Sequence, residues 1–187
     1  MTATEQGRIF YVDDCAGNDS FSGLSEKEAW LSLERVNAEV FRPGDTIRLK
    51  KGGEWHGMLA PKGSGAPYAP VILESFGEGA MPAIQGDGSP AAILLAGVSF
   101  WIVRGIRVTN RAQERAVRQG ICICASPLGI TRDIVVEGCE ISDVTGENRR
   151  NRDVYQSMYW NSGIYVTIPG RSCNENRLHN IVIANNY

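Results

Sequence analysis

One short motif recurs three times along this 187-residue chain, at 102–108, 135–141 and 182–187. Each copy is an apolar strand, a small residue and the start of a second strand. Gly105, Gly138 and Asn185 occupy equivalent positions, and both residue types tolerate positive φ, so a bend is predicted in each copy. A unit this short cannot bury its own apolar face, so successive units must stack on one another.

A second class of strand precedes each copy, at 92–95, 120–123 and 163–166. The chain contains 21 glycines and little long helical periodicity, a pattern typical of many short strands joined by turns. The sequence therefore predicts an all-β fold, a parallel β-helix in which each coil repeats the same strands. An antiparallel sandwich is the alternative. The aligned bends and the absence of Asn-Gly hairpin turns favour the β-helix.

One helix is expected near the N-terminus, from Ala29 to Phe41, where apolar residues recur every three or four positions. Ser25 and Glu28 form a potential capping box upstream, and Pro43-Gly44 would end the helix. We expect a single domain over 1–187. Residues 1–45 would form an N-terminal strand and capping helix, and 46–187 the β-helix coils with a long loop insertion at 142–162.

Alternation along the strands predicts which side chains form the core. The residues expected to be mostly buried are Ile93, Leu95, Ile102, Ile106, Val108, Ile121, Ile123, Val135, Ile141, Ile164, Val166 and Val182. The same alternation turns Tyr165, Thr167 and Cys122 outward.

The stretch from Tyr11 to Gly57 resembles the opening of pectate-lyase-like, right-handed parallel β-helix proteins. The matching segments are Tyr11-Val12-Asp13, Gly17-Asn18-Asp19-Ser20, Gly23-Leu24-Ser25, Trp30, Leu33, Pro43-Gly44-Asp45-Thr46-Ile47 and Gly52-Gly53-Glu54-Trp55. The resemblance implies a right-handed solenoid whose early helix covers the open end, and a carbohydrate-active function. It is also the only basis for expecting Ca²⁺, since no cofactor is evident from the residues. Members of this family have more coils, so we expect the chain to be truncated at its C-terminus, or covered there by something else.

Charge and composition indicate which kinds of partner are not expected. A net charge of −2 and a pI near 5.7 give no reason to expect nucleic acid as a partner. No apolar run approaches the roughly 20 residues that span a bilayer, so no membrane partner is expected. The resemblance predicts a secreted, extracellular or periplasmic protein, although the first residues lack the pattern of a signal peptide. Oligomeric state is left open.

No metal site is predicted from the residues. The five cysteines lack metal-ligand spacing and are interpreted as small packing residues. His56 and His179 lack such spacing as well. Asp13, Asp14 and Asp19 lack the ligand pattern of an EF-hand Ca²⁺ loop, and turn and cap roles suit them better.

The long loop after the second copy is rich in groups that recognise sugars. Aromatic rings stack on pyranose faces, amides and carboxylates bind hydroxyl groups, and arginine pairs with a uronate carboxylate. The predicted catalytic residues are Asp143, Asp153, Arg149, Arg152 and Tyr155. The predicted substrate-binding residues are Tyr159, Trp160, Asn161, Tyr165 and Arg118. We expect the loop to fold over the outward face of the strand carrying Tyr165, with Arg111, Arg115 and Arg118 forming the opposite wall. The alternative is a solvated insertion that covers the adjacent coil.

Two chemistries suit these residues, with polysaccharide or oligosaccharide as the partner. A polysaccharide lyase needs a cation to neutralise a uronate and a base to take the proton, which an arginine and a tyrosine can supply. A glycoside hydrolase needs two carboxyl groups, for which Asp143 and Asp153 are the nearest pair. The sequence does not decide between them. A non-catalytic carbohydrate-binding or adhesion module, or a scaffold whose active site lies downstream, remains an alternative.

Overall fold

The computed structural model describes residues 7–126, 129–147, 161–168 and 176–187, and within them the chain is almost entirely β, as predicted. The helical elements are a 3-10 turn (Glu26–Glu28) and α1 (Leu33–Ala38). The first strands are β1 (Ile9–Val12), β2 (Val40–Phe41), β3 (Thr46–Lys50), β4 (Glu54–His56), β5 (Lys62–Gly63), β6 (Val71–Phe76), β7 (Ala83–Gln85) and β8 (Ala91–Ala96). The later strands are β9 (Trp101–Arg104), β10 (Arg107–Asn110), β11 (Gln119–Cys124), β12 (Gly129–Glu137), β13 (Glu140–Val144), β14 (Ser162–Thr167) and β15 (Asn176–Ala184).

Three parallel sheets take strands from the chain in turn. Sheet 1 has the order β1-β3-β6-β9-β12-β15, sheet 2 the order β4-β7-β10-β13, and sheet 3 the order β8-β11-β14. Strands β9, β10 and β11 enter sheets 1, 2 and 3 in succession, and β12, β13 and β14 repeat that path. This arrangement is consistent with a parallel β-helix. Strand β1 pairs with β3, so the N-terminal segment joins the same stack.

The three aligned bends are confirmed. Gly105, Gly138 and Asn185 have φ of 65°, 59° and 54°. The Gly105 amide donates to Glu137 O, and the Gly138 amide donates to Ala184 O, which links successive bends directly. A second column of left-handed residues lies just before β9 and within β12 and β15 of sheet 1, and sequence reasoning missed it. Its members are Phe100, Asp133 and Asn180, with φ of 57°, 55° and 53°.

The predicted core residues are buried or partly buried in sheets 2 and 3, but the prediction is wrong for the strands of sheet 1. Ile93, Leu95, Ile106, Val108, Ile121 and Ile123 are fully buried, and Ile141, Ile164 and Val166 pack against the core while partly buried. In sheet 1 the register is opposite to the prediction. Val103 and Val136 are buried, whereas Ile102 and Val135 lie on the outer face and Val182 is 40% exposed. Both members of each Ile-Val or Val-Val pair are apolar, so the pattern did not specify which one faces inward.

The predicted helix from Ala29 to Phe41 is too long. Trp30 is extended instead, because its amide donates to Tyr11 O and its carbonyl accepts from the Asp13 amide. The helix begins after Ser32, whose hydroxyl accepts from the Arg35 amide, so Ser25 and Glu28 are not its capping box. Strand β2 follows α1 and pairs with β5.

The apolar face expected of that segment is nevertheless present. Trp30, Leu33, Val36 and Phe41 are buried in the main core, and Trp30 stacks on Phe10 with ring centroids 4.7 Å apart. No helix among the described residues is long and apolar enough to cross a membrane.

Candidate functional site

The outer face of sheet 2 carries a band of polar side chains. The register stacks His56, Gln85, Thr109 and Ser142 in one column over four coils. The Thr109 hydroxyl donates to Gln85 Oε1 between neighbouring coils. Because sheet 2 is parallel, the carboxyl ends of its strands meet at one edge, and charged residues gather there.

Asp143 lies at this edge in a β-bulge of β13. The register runs from Thr109 opposite Ser142 to Asn110 opposite Val144, which leaves Asp143 as the extra residue. Its φ is 52°, a left-handed conformation that aspartate tolerates better than most residues. Bulges re-aim a side chain and are common beside active sites. Here the bulge places the Asp143 carboxylate 2.5 Å from Nη2 of Arg111, one coil earlier.

Arg111 stabilises the ionised form of Asp143. Its hydrogen bond and positive charge lower the pKa of the Asp143 carboxyl. Asp143 is therefore ionised near neutral pH, as a nucleophile or general base must be.

A second carboxylate, Asp87, lies just beyond β7 at the same edge and also has positive φ, at 49°. Its Oδ2 is 2.7 Å from Nδ1 of His56, and Nε2 of His56 is 3.5 Å from Glu54 Oε1. All three side chains are substantially exposed. His56 therefore lies between two carboxylates, Asp87 and Glu54.

Asp87 and Asp143 belong to strands two steps apart, with Arg111 at the end of the strand between them. Two strand steps place the backbones about 10 Å apart. The Asp143 carboxylate turns toward Arg111, whereas the Asp87 carboxylate turns toward His56 on β4, on the side away from Arg111. This edge therefore carries two carboxyl groups, the type of group that a glycosidase uses.

Two of the predicted substrate-binding residues, Arg118 and Asn161, bond to backbone groups of neighbouring coils. Arg118 is buried, and its guanidinium donates to the carbonyls of Gly88, Glu114 and Thr145, which ties three consecutive coils together. Asn161 accepts from the amides of Arg118 and Glu147 and donates to Glu147 O. These bonds fix the base of the long loop, and contact with substrate stays a prediction.

Tyr165 lies where alternation placed it. It pairs in register with Cys122, on the side of sheet 3 opposite the inward-facing Ile164. Cys122 is only 7% exposed, and burial raises the pKa of its thiol to about 11, so it remains a protonated packing residue. The other predicted site residues lie outside the described part of the chain: Arg149, Arg152, Asp153, Tyr155, Tyr159 and Trp160.

The aspartates near the N-terminus have turn and cap roles. Asp13 accepts from the amides of Cys15 and Ala16 and pairs with Lys50 at 2.6 Å, and Asp19 accepts from the amides of Leu31 and Ser32. Asp13, Asp14 and Cys15 bring potential ligand atoms within 4.8 Å of one another. Lys50 already pairs with Asp13, and Ca²⁺ prefers oxygen ligands to the Cys15 thiol, so this cluster adds no support to the Ca²⁺ expectation, which stays a prediction.

A separate cleft of about 400 Å³ lies on the outer face of sheet 1, and sequence reasoning missed it. Its residues are Ala66, Pro67, Tyr68, Pro70, Phe100, Ile102, Arg132, Asp133, Val135 and Asn180. Tyr68 is fully exposed and has φ of 65°. Ala66 and Ala69 exchange both backbone hydrogen bonds around Pro67-Tyr68, which makes a tight β-turn. With proline second, positive φ at the third residue is the type II pattern, where glycine is the usual residue.

The known proteins to which this chain is similar include carbohydrate-active enzymes. A lacto-N-biosidase of Bifidobacterium longum subsp. longum is 31% identical over 93 residues, which cover 46% of this chain and 6% of that protein. The crystal structure of GH136 lacto-N-biosidase from Eubacterium ramulus matches 95% of this chain with a TM-score of 0.77 and 20% identity. A rhamnogalacturonan lyase structure matches 96% of the chain with a TM-score of 0.56 and 13% identity.

The chain covers 34% of the Eubacterium structure, about a third of its length. No protein-family model matches the sequence. At these identities, the structural matches show a shared fold alone. The sequence relative is a glycosidase by name.

Proposed function

We propose that this chain is part of a carbohydrate-active enzyme, a glycoside hydrolase built on a right-handed parallel β-helix. Support comes from the glycosidase that is related in sequence over 93 residues and from the parallel sheets. The substrate is an oligosaccharide, and the relative's name makes a terminal lacto-N-biose unit the first to test. The pectate-lyase-like N-terminal motif and an extracellular location belong to the same proposal.

The observation that carries the proposal is Asp143 in its bulge. A left-handed, exposed aspartate paired to an arginine on the preceding coil is oriented by its bulge and by that ion pair. We assign Asp143 the role of the ionised carboxylate, either nucleophile or base. Asp87, in contact with His56 at 2.7 Å, is the candidate for the second carboxyl group among the described residues.

A lyase is the second candidate, because the fold is shared with a rhamnogalacturonan lyase. In that reaction Arg111 would neutralise the uronate carboxylate. Its pairing with Asp143 favours the hydrolase, since that carboxylate already occupies the guanidinium.

Turnover by the full-length protein tests the assignment. The substrates are a p-nitrophenyl glycoside of lacto-N-biose and rhamnogalacturonan, and the readouts are released nitrophenol and the ultraviolet absorbance of unsaturated sugar. Asp143→Asn and Asp87→Asn are compared with Glu78→Gln, an exposed turn residue. Asparagine tolerates the same backbone conformation, so the bulge is kept.

We expect kcat on the glycoside to fall by about 10²-fold or more in Asp143→Asn and to stay unchanged in Glu78→Gln. Full activity of Asp143→Asn would contradict the role of Asp143 as the reacting carboxylate. Unsaturated products would show a lyase instead. Sugar binding without turnover of either substrate would show a binding module.

A further inference from the structure

The cleft on the outer face of sheet 1 lies on a different sheet from Asp143 and presents a different surface. Its floor is apolar, formed by Ile102 and Val135, which face outward in the observed register. Tyr68 and Phe100 add two aromatic rings. The side chains of Arg132, Asp133 and Asn180 line the same space.

The backbone at Tyr68 is held in a conformation that is unfavourable for a bulky residue. Positive φ is a true outlier for a bulky residue, and such strain persists only where the surroundings fix it. Here the Gly65 amide donates to Ser99 O, and Ala69 O accepts from the Gly44 amide, so both flanks of the turn are bonded to other coils. Glycine would relieve the strain, and the structure keeps an exposed ring instead.

The polar side of the cleft is ordered as well. Arg132 lies 5.7 Å from the centroid of the Phe100 ring and pairs with Asp133 at 2.5 Å. Asn180 donates to the other Asp133 oxygen at 2.6 Å. Hydrogen bonds from Asn180 and then Arg132 lower the pKa of the Asp133 carboxyl, so it is an ionised acceptor at neutral pH. The column of left-handed residues Phe100, Asp133 and Asn180 sets these side chains on three successive coils.

We propose that this cleft is a glycan-binding site distinct from the sheet 2 edge, in which Tyr68 stacks on one face of a pyranose ring and Arg132, Asp133 and Asn180 bind its hydroxyl groups. The chemistry selects a sugar because one wall is a flat aromatic ring and the other offers both donors and acceptors. A purely apolar partner would leave that ion pair and amide buried without added bonds. The site retains an oligosaccharide chain and takes no part in bond cleavage.

Titration calorimetry with lacto-N-biose and with cellohexaose as probes tests the site, using the Asp143→Asn background to prevent turnover. Tyr68→Gly is the main variant because glycine suits the turn, and Asn180→Ala removes one polar contact. Tyr187→Ala, an exposed tyrosine at the end of the chain, is the matched control. We expect Tyr68→Gly to weaken binding of at least one probe by about fivefold or more, and the control to leave it unchanged.

Activity separates this proposal from the proposed function. In the protein that retains Asp143, Tyr68→Gly should leave kcat on the short chromogenic glycoside unchanged. The same variant should bind a longer glycan more weakly than the unsubstituted protein does. Unchanged affinity in Tyr68→Gly would overturn the glycan site even if Asp143 proves catalytic. Self-association that disappears in Tyr68→Gly, measured by sedimentation, would overturn it in favour of an interface between copies of the chain.

Discussion

Two adjacent residues of β9 provide a sharp test of the fold, because the structure reverses their predicted roles. Val103 is fully buried between Leu73 and Val136, whereas Ile102 lies on the outer face. Val103→Ala removes two buried carbons, about 1.6 kcal/mol of transfer free energy, and leaves a small cavity, so the total cost is roughly 2–3 kcal/mol. Ile102→Ala removes three carbons that are already part-solvated, at about 1 kcal/mol or less.

Equilibrium urea unfolding followed by tryptophan fluorescence measures both losses, since Trp101 is adjacent and buried. Equal slopes against denaturant would show that the variants unfold by the same transition. Val103→Ala, the smaller truncation, should therefore lower the free energy of unfolding more than Ile102→Ala does. A greater loss in Ile102→Ala than in Val103→Ala would refute the register and restore the predicted one.

Two further predictions concern an ion pair and the strained turn. Burial opposes ionisation of Asp45, but hydrogen bonds from Arg8 and from the Arg42 amide outweigh it and lower its pKa. Its stabilisation is thus present above the unfolded pKa near 4 and lost as pH falls below it. Asp45→Asn should cost about 1.5–3 kcal/mol at pH 7, and urea titrations at pH 7 and pH 3 should show a clearly smaller difference at pH 3. Tyr68→Gly should raise Tm by about 2–4 °C in calorimetry by releasing about 1 kcal/mol of backbone strain, whereas Tyr68→Ala, which keeps that strain, should not.

The recurring bends were predictable from sequence because their chemistry is local. Gly105, Gly138 and Asn185 are residue types that accept positive φ, and their flanking strands repeat. Phe100 and Tyr68 adopt the same conformation against their residue preference, so only tertiary bonding reveals them. The length of the N-terminal helix was overestimated for a similar reason. Backbone hydrogen bonds to Tyr11 and Asp13 hold Trp30 extended, and periodicity does not report such long-range bonds.

The candidate site was predictable in part. Asp143 was singled out from its position beside a long, polar loop, but its bulge and its bond to Arg111 depend on strand register. Asp87 and His56 are 31 positions apart and meet only because their coils stack. Arg118 and Asn161 look like ligand-binding residues in sequence, and their bonds to backbone groups appear only in three dimensions.

Chemical rescue of Asp143→Gly tests the central claim most directly, because glycine fits the backbone at φ 52° and leaves space for a small anion. The measurement is kcat on the p-nitrophenyl glycoside of lacto-N-biose with and without added formate or azide. The account predicts that activity is lost without the anion and partly restored with it, while Glu78→Gln shows no response. Full activity without the anion, or a folded variant that no anion restores, would contradict a reacting carboxylate at position 143.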